Sequence, residues 1–323
     1  MSSLSEKIGV VAIGRNEGDR LIRSLDSVVR EACPVVYVNS GSTDGSCEVA
    51  RDRNVEVVEL DMSVPFTAAR ARNAGFERLR EKYPQVEYVQ LIDGDWEVVP
   101  GWLEAAAETL DNNPDVVALY AWRLERYPAA RVYNRICDVE WRSGSIGETK
   151  SCGKDVMIRA AALAAVGGYN PRVIAAEDDE LGVRLGQNGG KLGRIDQNCT
   201  RHDADMHRLS QWWAKRCGYA YALVCHMHGA LPERKLIKDL RDTWLWGLIV
   251  PSAALVLMIP THGISPTAFG RYPLSAWRTI DKTQRQGFSW KDNIAWGLSW
   301  AMSVFPQAFG ALKFHRAPAK QTA

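Results

Sequence analysis

Asp93-Gly94-Asp95 ends the apolar run Tyr88-Val89-Gln90-Leu91-Ile92, so two carboxylates arrive together where a strand should stop. The glycine lets the backbone turn tightly, and both side chains can then reach one ion, or an ion and a ribose. Magnesium or manganese held by one or two carboxylates keeps its other positions for water and substrate phosphates. Taken alone, an Asp-x-Asp is a weak signal that more often marks an ordinary solvated turn. A second acidic cluster, Glu177-Asp178-Asp179-Glu180, opens the run Leu181-Gly182-Val183-Arg184-Leu185. Carboxylates in a first turn are favoured by the helix dipole, so these residues read as caps or as acid-base groups, and the cluster by itself leaves both open.

The elements that must position these groups follow from the apolar pattern. Ile8-Gly9-Val10-Val11-Ala12-Ile13 predicts a strand covered on both faces, and Gly14-Arg15-Asn16-Glu17-Gly18 ends it. Leu21, Ile22, Leu25, Val28 and Val29 recur at helical spacing until Cys33-Pro34. A second strand, Val35 to Val38, runs into Asn39-Ser40-Gly41-Ser42-Thr43-Asp44-Gly45-Ser46. A helix to about residue 52, a strand from Val55 to Leu60 and a helix over 66–80 carrying Arg70, Arg72 and Asn73 complete the alternation. This predicts an α/β fold with a mostly parallel sheet and helices on both faces. Ligands bind such sheets outside the carboxyl ends of the strands. The polar clusters at 14–17, 39–46 and 93–95 all fall at that edge, and their convergence favours a shared site over three hydrophilic loops. Further on, Val116 to Trp122 is expected as a strand. Residues 123–150 read as a long irregular loop, an acceptor-contacting flap because Tyr133 and Trp141 are costly to leave in a purely solvated segment. A strand over 151–158 and a short helix over 159–166, stopped by Gly167-Gly168, should follow.

At this point the chain resembles the family-2 glycosyltransferases, which have the GT-A fold. Arg15-Asn16-Glu17 stands where that family has Tyr-Asn-Glu, and the stretch from Asn39 to Ser46 stands where it has Asp-x-Gly-Ser-x-Asp-Gly-Ser. Arg72-Asn73-Ala74-Gly75 matches its Ala-Arg-Asn-x-Gly segment, and Asp93-Gly94-Asp95 its metal motif. Gly167-Gly168-Tyr169 and Glu177-Asp178-Asp179-Glu180-Leu181 match two later motifs. The order of six segments over about residues 8–220 is far more specific than any one. The resemblance implies a nucleotide-sugar donor held by Asn16, Glu17, Asn39, Ser42, Asp44, Arg72 and Asp93. It also implies a divalent metal, Mn2+ or Mg2+, on Asp93 and Asp95, and Asp178 as general base of an inverting transfer. His202 stands where some members supply a further metal ligand, although the polar run Arg201-His202-Asp203 also reads as surface. Lys215 and Arg216 lie where the family places a basic residue on the diphosphate, and the pattern of processive members is missing there. Arg15 replaces an aromatic and Asn39 an acidic residue that meets the base or ribose, so the donor's base does not carry over.

Composition sets the outer bounds. The 323 residues carry a formal net charge of +2 with no long single-sign block, so charge gives no reason to expect a nucleic-acid partner. Seven cysteines without a Cys-x-x-Cys pair argue for a reducing compartment, and the N-terminus reads directly into a strand with no signal-peptide pattern. Residues 1–230 are expected to form the GT-A catalytic domain and 231–323 an apolar helical, membrane-associated region. In that region Trp244 to Ile259 is interrupted by Pro251, and Ile294 to Leu312 carries Pro306 and Gln307. Basic residues flank both segments on every side: Arg234, Lys235, Lys238 and Arg241, then Arg271, Arg278, Lys282, Arg285 and Lys291, then Lys313, His315 and Arg316. By the positive-inside rule they should enter and leave one leaflet, or lie in the interface, on the cytoplasmic face of the inner (plasma) membrane. The expected acceptor is a glycolipid or lipid-linked saccharide. Competing readings are a sugar-phosphate nucleotidyltransferase, whose Gly-rich, Lys-ending loop is missing, and a non-catalytic sugar-nucleotide-binding protein.

Overall fold

The computed structural model describes residues 4–149, 151–217, 222, 224 and 234–316. The chain divides into two compact units, Met1–Arg126 with Gly144–Asp203, and Tyr127–Ser143 with Ala204–Ala323. The domain boundary expected at 230/231 lies outside the described residues.

The first unit is built on nine strands: β1 Ile8–Gly14, β2 Val35–Asn39, β3 Glu56–Glu59, β4 Tyr88–Asp93, β5 Trp96–Val98, β6 Val116–Glu125, β7 Gly147–Thr149, β8 Met157–Arg159 and β9 Lys191–His202. They form one sheet in the order β3-β2-β1-β4-β8-β6-β9-β5, with β7 on β9. Its helices are α1 Leu4–Lys7, α2 Asp19–Val29, α3 Ser46–Arg51, α4 Ala68–Lys82, α5 Trp102–Asn112, α7 Ala160–Ala165 and α8 Glu177–Gln187, with α6 Val132–Arg142 in the other unit. The four strands β3-β2-β1-β4 are parallel, as the apolar runs predict, because every one is joined to the next by a crossover helix. The remainder is mixed: β8 runs antiparallel to β4 and β6, β6 runs parallel to β9, and β5 and β7 run antiparallel to β9, so six of the nine strands point the same way in a mixed sheet.

Two buried apolar clusters cover the sheet. One joins Leu21, Leu25 and Val28 of α2 to Val10, Tyr37 and Ile92, and the other joins Ala71, Phe76 and Leu79 of α4 to Val11, Val38 and Leu91. The α2 residues sit four and three apart, which places them on one face. Gly75 lets α4 lie close on the sheet, since a Cβ there would stand 2.4 Å from Val11 Cγ1. At its start Thr67 caps α4, its hydroxyl accepting from Arg70 N at 3.1 Å.

Two expected elements differ. Residues 123–150 are not a long loop: β6 continues to Glu125, α6 follows, and β7 closes the segment. α6 forms because Ile136 and Val139 share a face and pack on Trp296 in the second unit, a contact too distant in sequence to read. Only Met157–Arg159 of the strand expected over 151–158 is a strand, because Cys152 and Asp155 turn inward into side-chain contacts instead of a ladder.

In the second unit, α6 is joined by α9 Leu209–Lys215, α10 Arg234–Trp244, a π turn Leu245–Ile249, α11 Val250–Val256, a 3-10 turn Ser265–Gly270, α12 Arg271–Gln284, α13 Trp290–Met302 and α14 Val304–Arg316. The π turn falls just before Pro251, which cannot donate into a regular ladder. At Gly247 that turn presses on α14, where a Cβ would meet Val304 O at 2.3 Å. Among the described residues no helix is long and apolar enough to cross a membrane.

Candidate active site

The ends of β1, β2 and β4 lie side by side, since Ile13 is in register with both Val38 and Asp93. The first two loops are stitched together by the residues predicted to hold a donor. Ser42 Oγ accepts from Asn16 N at 2.9 Å, and Asn16 Oδ1 accepts from Thr43 N at 2.8 Å. Asp44 accepts from Gly18 N at 3.0 Å and from the Ser46 hydroxyl and amide, and the Ser46 contact holds its carboxyl below the usual range. Asn39 is buried and its Oδ1 accepts from Ser42 N at 3.0 Å, shaping its own turn. Glu17 pairs with Arg20 at 3.0 Å, and burial pushes its carboxyl up.

Gly94 donates its N–H to Ile13 O at 2.6 Å, and a Cβ there would stand 3.1 Å from that same oxygen. Its value is therefore close approach to β1, with no left-handed backbone involved. Asp95 follows, and burial first, then the charges of Asp93 and Glu17, push its carboxyl up to about 7. The antiparallel pairing of β5 with β9 sets Trp96 opposite His202. The imidazole stacks on the Trp96 ring at 4.7 Å and stands 3.4 Å from Asp95 Oδ2 through Nδ1. A sheet register therefore fixes the Asp95-His202 pair.

Asp93 has other partners. Arg72, fully buried, donates through Nη2 to Asp93 Oδ1 at 2.8 Å and through Nη1 to Glu177 Oε1 at 2.6 Å. The same Nη1 lies 3.7 Å from Asp178 Oδ1, and the guanidinium sits 5.3 Å from the Tyr169 ring centroid. Burial pushes the Asp178 carboxyl up to about 7 against the opposing charge of Arg72. Tyr169 OH donates to Asp178 Oδ1 at 3.3 Å, so both contacts fall on one oxygen. Tyr169 is itself clamped, its N–H and carbonyl both bonded by the Asn73 amide at 2.7 Å. A Cβ on Gly168 would stand 2.6 Å from Asn73 Oδ1, so the clamp requires glycine there, while Gly167 beside it has open space and a φ of +74. Ala176 precedes α8 with φ 61, a left-handed conformation costly for alanine and found where a site holds its backbone under strain.

Asn16, Glu17, Asn39, Ser42, Asp44, Arg72, Asp93, Asp95, Asp178 and His202 thus all belong to the first unit, with Arg72 linking Asp93 to the start of α8. Lys215 and Arg216 belong to the second unit, where both pair with Glu140 Oε2, at 3.2 and 2.8 Å. Lys154 was missed in the sequence. Its Nζ lies 3.9 Å from Asp93 Oδ2, and the only signal was a cation within the segment mistaken for strand. Among the described residues no three His, Cys, Asp or Glu side chains converge as a closed ligand set, and Asp95 and His202 stand as a pair 3.4 Å apart.

Residues 10–166 match the family model described as Glycosyl transferase family 2. The matched segment is just under half of the chain. The chain's fold is shared by solved structures that are only 14–16% identical to it. The mannosyltransferase PcManGT from Pyrobaculum calidifontis, in complex with GDP-Man and Mn2+, superposes with TM-score 0.62 at 16% identity over 96% of this chain and 87% of that one. S. aureus TarS 1-349 in complex with UDP gives TM-score 0.54 at 14% identity, covering 93% and 91%. The succinoglycan biosynthesis protein ExoA of Rhizobium meliloti (strain 1021) is 28% identical over 174 residues, 50% of this chain. That match spans about half the relative's length, 52%.

Proposed function

We propose that this chain is a glycosyltransferase that inverts configuration, moving a sugar from a nucleoside-diphosphate sugar to a hydroxyl of a glycolipid or lipid-linked saccharide, with Mn2+ or Mg2+ bound. The observation that carries the reading is Arg72, because one buried guanidinium joins Asp93 to Glu177 and reaches Asp178. The donor motif and the base-bearing helix are therefore one guanidinium apart. Asp178 Oδ2, opposite the oxygen held by Tyr169, takes the proton of the acceptor hydroxyl. The deprotonated acceptor oxygen bonds to the anomeric carbon as the carbon-to-diphosphate bond breaks, and the nucleoside diphosphate leaves with the electron pair. A carboxyl titrating near 7 suits this work, because such a base is both ionised and basic enough at neutral pH.

The donor set at Asp95 and His202 fits a divalent cation: one carboxylate raised first by burial and then by the neighbouring anions, and one imidazole beside it, a set of the size that leaves such a cation to take diphosphate and water as well. Bound there, the cation would act as a Lewis acid on the leaving diphosphate. The GDP-Man and Mn2+ in PcManGT and the UDP in TarS support this choice of ligands.

A membrane surface as partner is supported by the second unit. Leu255, Val256, Leu257, Met258, Ile259 and Ile264 are all exposed, Val256 by 75% and Ile259 by 81%. From Leu245 to Ile280 the sequence holds no acidic residue, while Arg271 and Arg278 are present. An apolar turn with cationic flanks fits a bilayer containing anionic lipid, at the cytoplasmic face of the plasma membrane. The donor reading is tested by thermal shift with UDP-, GDP- and dTDP-sugars plus Mn2+, where one series should stabilise the protein and none doing so would overturn it. The membrane reading is tested with phosphatidylglycerol vesicles: wild type should co-sediment, Val256→Asp/Ile259→Asp should not, and equal sedimentation would remove the assignment.

A further inference from the structure

We infer that Lys154 is a binding residue for the donor's diphosphate, the role that position in the chain suggested for Lys215 and Arg216. The inference rests on the proposed donor site. A nucleoside diphosphate gains negative charge as it leaves, and the site around it already holds the carboxylates Asp93, Asp95, Glu177 and Asp178. Arg72 cannot turn to the diphosphate, because it is fully buried and its two terminal nitrogens are taken by Glu177 and Asp93. Lys154 is differently placed. Its side chain is 52% exposed, and its ion-pair contact among the described residues, Asp93 Oδ2 at 3.9 Å, is too long for a hydrogen bond. An ammonium held loosely over the donor motif can exchange that contact for phosphate oxygens at little cost.

The backbone that carries it is fixed. Asp155, fully buried, is bound by Arg123 and by the Thr200 hydroxyl, and Cys199 Sγ lies 3.1 Å from its Oδ2. Gly153 packs so closely there that a Cβ would stand 2.9 Å from Asp155 Oδ1. On the other side, Cys152 Sγ lies 3.4 Å from the carbonyl of Asp178. Residues 152–155 are thus tied to β9 at one end and to the start of α8 at the other. The aliphatic stem of Lys154 supplies the only slack, which is the arrangement expected of a preorganised phosphate contact.

Calorimetry on the full chain with Mn2+ decides it, using UDP or GDP, whichever the wild type binds, and the matching nucleoside. Lys154→Gln should weaken the diphosphate by about 10- to 100-fold and leave the nucleoside unchanged, as loss of a charge-assisted contact does. Lys154→Arg should restore most of the affinity. Mn2+ alone should bind Lys154→Gln as tightly as wild type or tighter, since a competing cation beside Asp93 has gone. If Lys154→Gln binds the diphosphate as wild type does, or loses nucleoside and diphosphate in equal ratio, the inference is wrong. If the wild type binds neither nucleotide, the donor reading itself fails.

Discussion

Replacing Arg72 with methionine keeps most of the buried volume and removes the charge that joins the two halves of the site. Arg72 is fully buried and Glu177 nearly so, with the pair at 2.6 Å. Removing one partner of such a pair leaves the other charge buried and costs about 3–5 kcal/mol. At about 2–4 °C per kcal/mol for a unit of this size, the melting temperature should fall by roughly 6–20 °C. The loss should depend on pH. Against burial, Arg72, Lys154 and His202 hold the Asp93 carboxyl below its usual range, so its contribution is present above the unfolded value near 4 and lost as pH falls. The gap between wild type and Arg72→Met should be widest at neutral pH and narrow as pH falls through and below about 4, where the Asp93 carboxyl takes up its proton. The Asp178 carboxyl, freed of the opposing cation, should titrate above 7 and carry the acid limb of the rate profile upward with it. Melting scans at several pH values, with Arg72→Lys as a variant that keeps the charge, are the assay. A pH-independent loss below about 1 kcal/mol would refute the bridge.

Asp178→Asn keeps the shape and removes the base, so turnover should fall by about 10²- to 10⁴-fold with donor affinity near normal; a larger loss from Asp179→Asn would move the base one residue along. Wild-type turnover should rise with pH through a midpoint near 7, because Asp178 must be ionised to accept a proton, and a flat profile from pH 5 to 9 would contradict its role. His202→Gln should weaken Mn2+ binding, read by electron paramagnetic resonance, by at least about tenfold, and unchanged affinity would remove His202 from the ligand set. Gly168→Ala combines φ +73 with a contact at 2.6 Å and should cost about 1–3 kcal/mol in urea, whereas Gly186→Ala, in open space on α8, should be neutral or stabilising; equal effects would undercut the Asn73 clamp.

The edge that carries the site was legible because each strand feeding it is a short apolar run and each run ends in glycine and polar residues. That pattern located β1 through β4, Asp93, Asp95 and the start of α8 without any contact being known. What it could not give was partnership across long stretches of chain. Arg72 meets a carboxylate 105 residues away, and nothing local marks it as buried. His202 was legible as a candidate, but what brings it to Asp95 is the antiparallel register of β5 and β9, which no local pattern encodes. α6 reads as loop because its arginines and tyrosine hide a narrow apolar face, which Trp296, Phe288 and Ala295 cover from far along the chain. Lys154 was hidden by the assumption that an apolar run after a glycine must be a strand, when its neighbours are turned inward by Asp155 and Cys152.

The configuration of the released sugar tests the central claim most directly. With an α-linked nucleotide sugar and no acceptor, water takes the acceptor's place beside Asp178, and the first-formed free sugar can be read by proton NMR before it mutarotates. The account predicts the β anomer, formed by wild type with Mn2+ and abolished in Asp178→Asn. Release of the α anomer, or hydrolysis undiminished in Asp178→Asn, would contradict it.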